Sequence, residues 1–215
     1  MPKRQLARRR RRAPRKKYPL YQPVPDSKVV KMRYVDQFTI DPGLGTAGHI
    51  SLRANGLFDP YVPVGGHQPY SFDQYMEFYN RYTVLGSKIT VTFSAGTQMT
   101  VGINLTKEQE TTTNLNTIRE RGNCVWKVLG VSGSGGGASQ RRLSLTYSTK
   151  NFMGVKDVRD NHELGGTISA DPSRQAYFNV FATPLLSSLN PAAVTCSVMV
   201  TYIVLLHEQK KLVGS

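Results

Sequence analysis

The sequence predicts an all-β body, a sandwich or a barrel, behind a strongly basic N-terminal arm. Three observations lead there. Eight runs alternate apolar and polar residues with a period of two, the spacing that puts successive side chains on opposite faces of a strand. β-branched and aromatic residues fill those runs, and Gly, Pro or Asn clusters separate them. No long helices alternate with the runs, which argues against the α/β classes.

The arm, residues 3–17, reads KRQLARRRRRAPRKK; ten of its fifteen residues are basic, and the first acid in the chain is Asp26. With almost no apolar side chain and charge of one sign, it cannot bury enough surface to offset its ordering entropy. It is expected to be disordered in isolation. A polycation of this kind calls for a polyanion, and nucleic acid is the foremost candidate. A nuclear-import signal is the overlapping reading. Lys3, Arg4, Arg8, Arg9, Arg10, Arg11, Arg12, Arg15, Lys16 and Lys17 are therefore candidate nucleic-acid contacts. Arg outnumbers Lys seven to three, and Arg can hold phosphate bidentately and stack on bases. The other 18 basic side chains face 14 acidic ones, so the rest of the chain carries only +4 of the net +14. Segregation of this kind favours a basic tether over a basic groove in the folded part.

Residues 18–26 (YPLYQPVPD) place three prolines in nine positions, a semi-rigid extended linker. The strands follow. Val30, Met32 and Tyr34 alternate with Lys31 and Arg33; Ile50 and Leu52 are in phase; Ile89, Val91 and Phe93 come next, then Met99, Val101, Ile103 and Leu105. Residues 124–129, the set Leu143, Leu145 and Tyr147, and residues 177–181 continue the pattern. The longest run puts Val194, Cys196, Val198, Val200, Tyr202 and Val204 on one face. All eight are expected to be half-buried against one core. The 198 residues beyond the arm are enough to build one.

Two inserts read as helical. Ser71 is placed to cap the first, with Gln74 in capping-box position and Phe72, Tyr75, Met76 and Tyr79 on one face. The second spans residues 113–121, with Leu115 and Ile118 inward and Gly122 ending it. Residues 130–139 (GVSGSGGGAS) read as a surface loop; no GK[ST] follows, so the phosphate-loop reading fails.

Little else suggests chemistry. His49, His67, His162 and His207 lack metal-ligand spacing, so no metal or cofactor is expected. No nucleophile has a recognisable elbow, and the chain does not read as an enzyme. Cys124 and Cys196, 72 residues apart in apolar runs, read as small buried hydrophobes. The sequon Asn104-Leu105-Thr106 falls inside a strand and is discounted. No apolar stretch backs the N-terminal charges, and the apolar run 192–206 is broken by Thr195, Ser197 and Thr201, so no membrane insertion is expected. The aromatics of residues 61–82 recur at helical spacing and are assigned to packing rather than to base stacking. Lys31 and Arg33 lie just after the linker and join the candidate nucleic-acid contacts. Arg81, Lys88, Arg141 and Arg142 flank or occupy other strands, and a shared sheet face would make it positive.

The whole pattern resembles the single jelly-roll capsid proteins of small icosahedral viruses. Residues 72–93 (FDQYMEFYNRYTVLGSKITVTF), 124–130 (CVWKVLG) and 148–158 (STKNFMGVKDV) look like segments of capsid proteins of circular, Rep-encoding single-stranded DNA viruses, the circovirus-like group. The resemblance runs from the arm to about His207. It implies an eight-stranded jelly roll of two four-stranded antiparallel sheets, BIDG and CHEF. The strands would be B 28–40, C 47–54, D 84–95, E 98–106, F 123–131, G 141–149, H 175–183 and I 193–207. Residues 1–26 would be arm and linker, and 27–215 the shell domain. About 60 identical copies would close a T=1 shell, with the arms inward on single-stranded DNA. Sixty arms of ten charges would bring on the order of 600 positive charges against the genome phosphates. The resemblance further implies a virion protein, present in the host nucleus during assembly, with host import receptors and a cell-surface attachment factor among its partners. The competing readings are a coat protein of a small RNA or satellite virus, and a non-viral basic-tailed nucleic-acid-binding β protein.

Overall fold

The computed structural model describes residues 24–63, 65–130 and 138–211. The arm, most of the Pro/Tyr linker and residues 131–137 of the Gly-rich loop lie outside the described residues. Among the described residues nine strands run in chain order: β1 Ser27–Ile40, β2 Gly48–Arg53, β3 Tyr79–Ala95, β4 Met99–Thr106, β5 Cys124–Leu129, β6 Ser139–Ser148, β7 Gly165–Gly166, β8 Tyr177–Pro184 and β9 Val194–Gln209. Three short helices intervene: α1 Phe72–Met76, α2 Leu115–Glu120 and α3 Thr149–Met153, with a 3-10 turn at His162–Leu164.

The strands form two antiparallel sheets ordered β1-β9-β3-β6 and β2-β8-β4-β5, and the two-residue β7 pairs with β3 beside the first. With β1 to β6 as B to G, and β8 and β9 as H and I, these are the BIDG and CHEF sheets of a jelly roll. The expected fold class is therefore the observed one. The order follows from burial: β9 is the longest apolar run, and it takes a central position with β1 on one side and β3 on the other.

The core fills the space between the sheets. Met32, Tyr34, Ile89, Val91, Phe93, Val198, Val200 and Tyr202 point inward from one, and Leu52, Val101, Ile103, Phe178 and Val180 from the other. Two hydrogen bonds tie the layers together: Tyr202 Oη donates to the Arg53 carbonyl at 2.9 Å, and Ser87 Oγ donates to the Ala54 carbonyl at 2.6 Å. Among the described residues no helix is long and apolar enough to cross a membrane.

Half-burial of every strand does not hold. β4 and β8 are buried on both faces. The connection from β4 to β5, containing α2, lies over the outer side of their sheet, and Ile118 packs there with Ala47 and Phe181. Gly102 makes room for this layer, since a Cβ there would stand 2.3 Å from the Phe181 ring. α2 itself is capped by Asn114, whose side chain accepts from the Asn116 and Thr117 amides, and Gly122 at φ +70° ends it as expected.

The first insert differs from expectation. Ser71 sits at φ 69°, in the left-handed region, and its side chain makes no cap hydrogen bond. The helix is only five residues long, and Tyr79, expected on its face, instead opens β3. Strand pairing of residues 79–84 with β9 outcompetes the helical spacing of the aromatics. Cys196 is buried as expected and its thiol is pushed up to about 12 by burial, whereas Cys124 is only half-buried; both are free.

Candidate nucleic-acid interface

Alternation fixes which side chains leave the core. In β1 the inward set is Met32 and Tyr34, so Lys31, Arg33 and Val35 point away from it. The register carries that outer face across the sheet: Arg33 pairs with Thr201, Thr201 with Lys88, and Lys88 with Thr146. Ser197 likewise pairs with Thr92, and Thr92 with Arg142. Lys31, Arg33, Lys88 and Arg142 thus share one face, and all four are exposed. Arg33 and Lys88 lie two strand spacings apart, roughly 10 Å.

The remaining outward positions hold Ser, Thr, Gln, Gly, Val, Met and Ile. None in residues 27–39, 195–203, 86–94 or 140–148 is acidic. No ion pair engages the four cations among the described residues. A cationic, hydroxyl-rich sheet face without carboxylates can accept phosphate oxygens through charge and hydrogen bonds with no sequence preference.

The other two basic strand residues add no free cation to this face. Arg141 has the opposite phase, pairing with Phe93, and bonds the Gln140 carbonyl. Arg81 precedes the irregularity between Val84 and Gly86, which brings it to the same side of the sheet as Lys88, but it is engaged by His162. Its guanidinium donates to His162 Nδ1 at 2.7 Å and to the His162 carbonyl at 3.0 Å, with Glu208 Oε1 at 3.9 Å. His207 lies beside it, with Nε2 3.0 Å from Thr83 Oγ1. Burial lowers the His207 pKa below the usual imidazole range; Glu208 opposes this, while Arg81, His162 and Arg159 add to it. Two histidines that looked scattered in sequence therefore meet. Even so, among the described residues no three His, Cys, Asp or Glu side chains are grouped to hold a metal ion.

The base of the linker is fixed. Val24 packs against the core, and the Pro25 carbonyl accepts from Tyr79 Oη at 3.0 Å. The described chain therefore begins at the N-terminal end of β1, the edge strand that carries Lys31 and Arg33. The arm's own ten candidate residues lie outside the described residues.

The aromatic segment 61–82 divides. Tyr61 stacks on Phe38 at 4.3 Å, and Phe72 meets Tyr82 edge-on at 5.4 Å, which is packing as expected. Tyr70, however, is 90% exposed and lines an open groove with Lys31 and Arg33. Spacing alone gave no sign of this, because Tyr70 precedes α1 in a segment whose path is set by the turn at Ser71.

The buried charges elsewhere serve the fold. Arg53 reaches Asp59 at 3.2 Å and Asp171 at 3.4 Å, and Tyr82 Oη donates to Asp171 at 3.0 Å. Burial raises the Asp171 pKa, partly offset by Arg53. Glu110, fully buried in its side chain, accepts from Arg121 at 2.8 Å and from Asn104 at 3.0 Å. Burial pushes its pKa up, but the Thr112 amide, Asn104 and Arg121 outweigh it and leave a net lowering. Asn104 is fully buried, so the sequon is not on the surface.

No protein-family model matches the chain, and a search of curated proteins returned no match. Solved structures do resemble it. The 60-mer BFDV capsid protein matches at 10% identity and TM-score 0.47, over 88% of this chain and 97% of that one. Desmodium yellow mottle tymovirus matches at 12% and 0.44, over 94% and 99%, and turnip yellow mosaic virus at 12% and 0.44, over 87% and 98%. At these values the fold class rests on the strand order itself.

Proposed function

We propose that the chain is a viral coat protein that self-assembles into a small icosahedral shell and packages nucleic acid. The observation that carries this reading is the carboxylate-free face bearing Lys31, Arg33, Lys88 and Arg142, joined at its β1 edge to a segment with ten further cations. A jelly roll supplies the stiff shell unit, with residues 27–215 as that unit and 1–26 as the arm. The finer reading is a T=1 shell of about 60 copies around single-stranded DNA, with the arm doubling as a nuclear-import signal. Many copies of a modest site on one polymer give high avidity without base-specific contacts.

The test is imaging of the purified full chain together with its nucleic-acid content. Closed shells that protect nucleic acid from nuclease are expected, and DNase or RNase digestion of the extracted cargo identifies its type. Monomers or small oligomers under every assembly condition would overturn the coat-protein reading. RNA alone in authentic particles would overturn the DNA part.

A further inference from the structure

Beside the cationic face, the edge of β1 and the segment before α1 enclose an open groove of about 620 Å³. Its lining combines the apolar Met32 and Val35 with the cations Lys31 and Arg33. Tyr70 and Tyr75 also line it. A neighbouring pocket shares Ser71 and Tyr75 with it and reaches Val24, Pro25 and Lys28, the point where the basic arm joins the body.

One exposed tyrosine is unremarkable by itself. Here Tyr70, 90% exposed, lines the same groove as two cations that no carboxylate engages among the described residues. The nearby acids are accounted for. Asp36 accepts from Tyr34 Oη at 2.8 Å and from the Gln37 amide at 2.7 Å, with His67 3.8 Å away, and Asp73 sits in the first turn of α1. Tyr75 already supports one cation, with Lys28 Nζ 5.4 Å from its ring centre. An aromatic face next to unpaired Arg and Lys is the chemistry that holds single-stranded nucleic acid, the ring taking a base and the cations the flanking phosphates. A duplex offers no free base face, so the partner is single-stranded.

We propose that this groove binds a nucleotide of a single strand, with Tyr70 as the stacking platform and Lys31 and Arg33 on the phosphates. The inference rests on the packaging reading and adds a discrete site on the folded body, at the place where a strand held by the arm first meets the sheet.

The test uses the full chain and a single-stranded oligonucleotide carrying 5-iodouracil, irradiated and mapped by mass spectrometry. A crosslink in the peptide containing Tyr70 or Tyr75 is expected. Tyr70→Ala should remove it and weaken binding at least about fivefold at high salt, with Tyr70→Phe restoring both. The salt dependence should be unchanged in Tyr70→Ala, whereas replacing Arg10, Arg11 and Arg12 by Ala should lower it. Crosslinks confined to residues 3–17, with Tyr70→Ala binding normally, would overturn the groove and leave the arm reading intact. No binding at low salt would overturn the packaging reading itself. Loss of assembly with unchanged binding in Tyr70→Ala would assign the groove to a neighbouring copy and overturn it as a nucleotide site.

Discussion

Neutralising the outer sheet face is the most direct quantitative check on packaging. The perturbation is Lys31→Gln, Arg33→Gln, Lys88→Gln and Arg142→Gln together. All four side chains are exposed and none is ion-paired among the described residues, so the fold should not respond. Each phosphate neutralised on a single strand contributes about 0.7 to the slope of log affinity against log salt. Ten arm cations and four sheet cations together give a slope near −10, and the quadruple variant near −7. Going from 50 to 200 mM salt, the parent should therefore lose about 50-fold more affinity than the variant. The assay is fluorescence anisotropy of a labelled single-stranded oligonucleotide titrated with full chain across a salt series, with thermal melts as the folding control. A slope that moves by less than one phosphate equivalent, with an unchanged melt, refutes the assignment of this face.

Three further outcomes test the fold and its pH response. Val198→Asp places an unpaired carboxylate on the fully inward side of β9, which should cost on the order of 4–5 kcal/mol and leave no soluble folded protein; a soluble, assembling variant would show the strand phase to be wrong. Gly102→Ala drives a Cβ to 2.3 Å from Phe181 Cζ and 2.8 Å from the Val125 carbonyl, so chemical denaturation should report a loss of roughly 1–3 kcal/mol. His207 is held below its ordinary pKa chiefly by burial, so the neutral ring's contribution is complete above the unfolded value and is lost as pH falls. Melting temperature should therefore drop below about pH 6.5, and His207→Gln should flatten that drop; an unchanged profile in the variant would remove His207 as its source.

Strand identity was legible because burial against one core imposes period two. The expected run 28–40 became Ser27–Ile40, and 193–207 became Val194–Gln209. Where tertiary contacts set the structure, the pattern misled. Tyr79, Tyr82 and their neighbours have helical spacing, yet β9 and the Gly165–Gly166 strand pair with them. Gly166 permits this because it lets the Tyr82 ring lie against its backbone, at 2.3 Å from where a Cβ would be. The irregularity at Leu85 also changes phase: Arg81 and Lys88 look opposite by count but share a side by register. The cations of the candidate interface were readable as types on strands. Their union on one face required the pairing of β1, β9, β3 and β6, which no local signal contains.

The two sheets also differ in what they leave open, and this gives the molecule a direction. The β2-β8-β4-β5 sheet is roofed by the connection carrying α2, which brings Glu110 and Arg121 into a closed pair and Ile118 over Phe181. Among the described residues the exposed strand cation of that sheet is Lys127 on its edge strand β5. The β1-β9-β3-β6 sheet is unroofed over Lys31, Arg33, Lys88 and Arg142. Val24 packs against the core and Pro25 is bonded to Tyr79 at the N-terminal end of β1, the edge strand of that sheet. On the packaging proposal, a strand bound by residues 3–17 would be tethered to the body, so the four sheet cations would act on a ligand at raised effective concentration. On this geometry, removal of residues 2–17 should leave the sheet cations present but too few to retain nucleic acid at physiological salt. Arm-deleted particles that still carry nuclease-resistant nucleic acid would show that the sheet, and not the tether, supplies most of the binding.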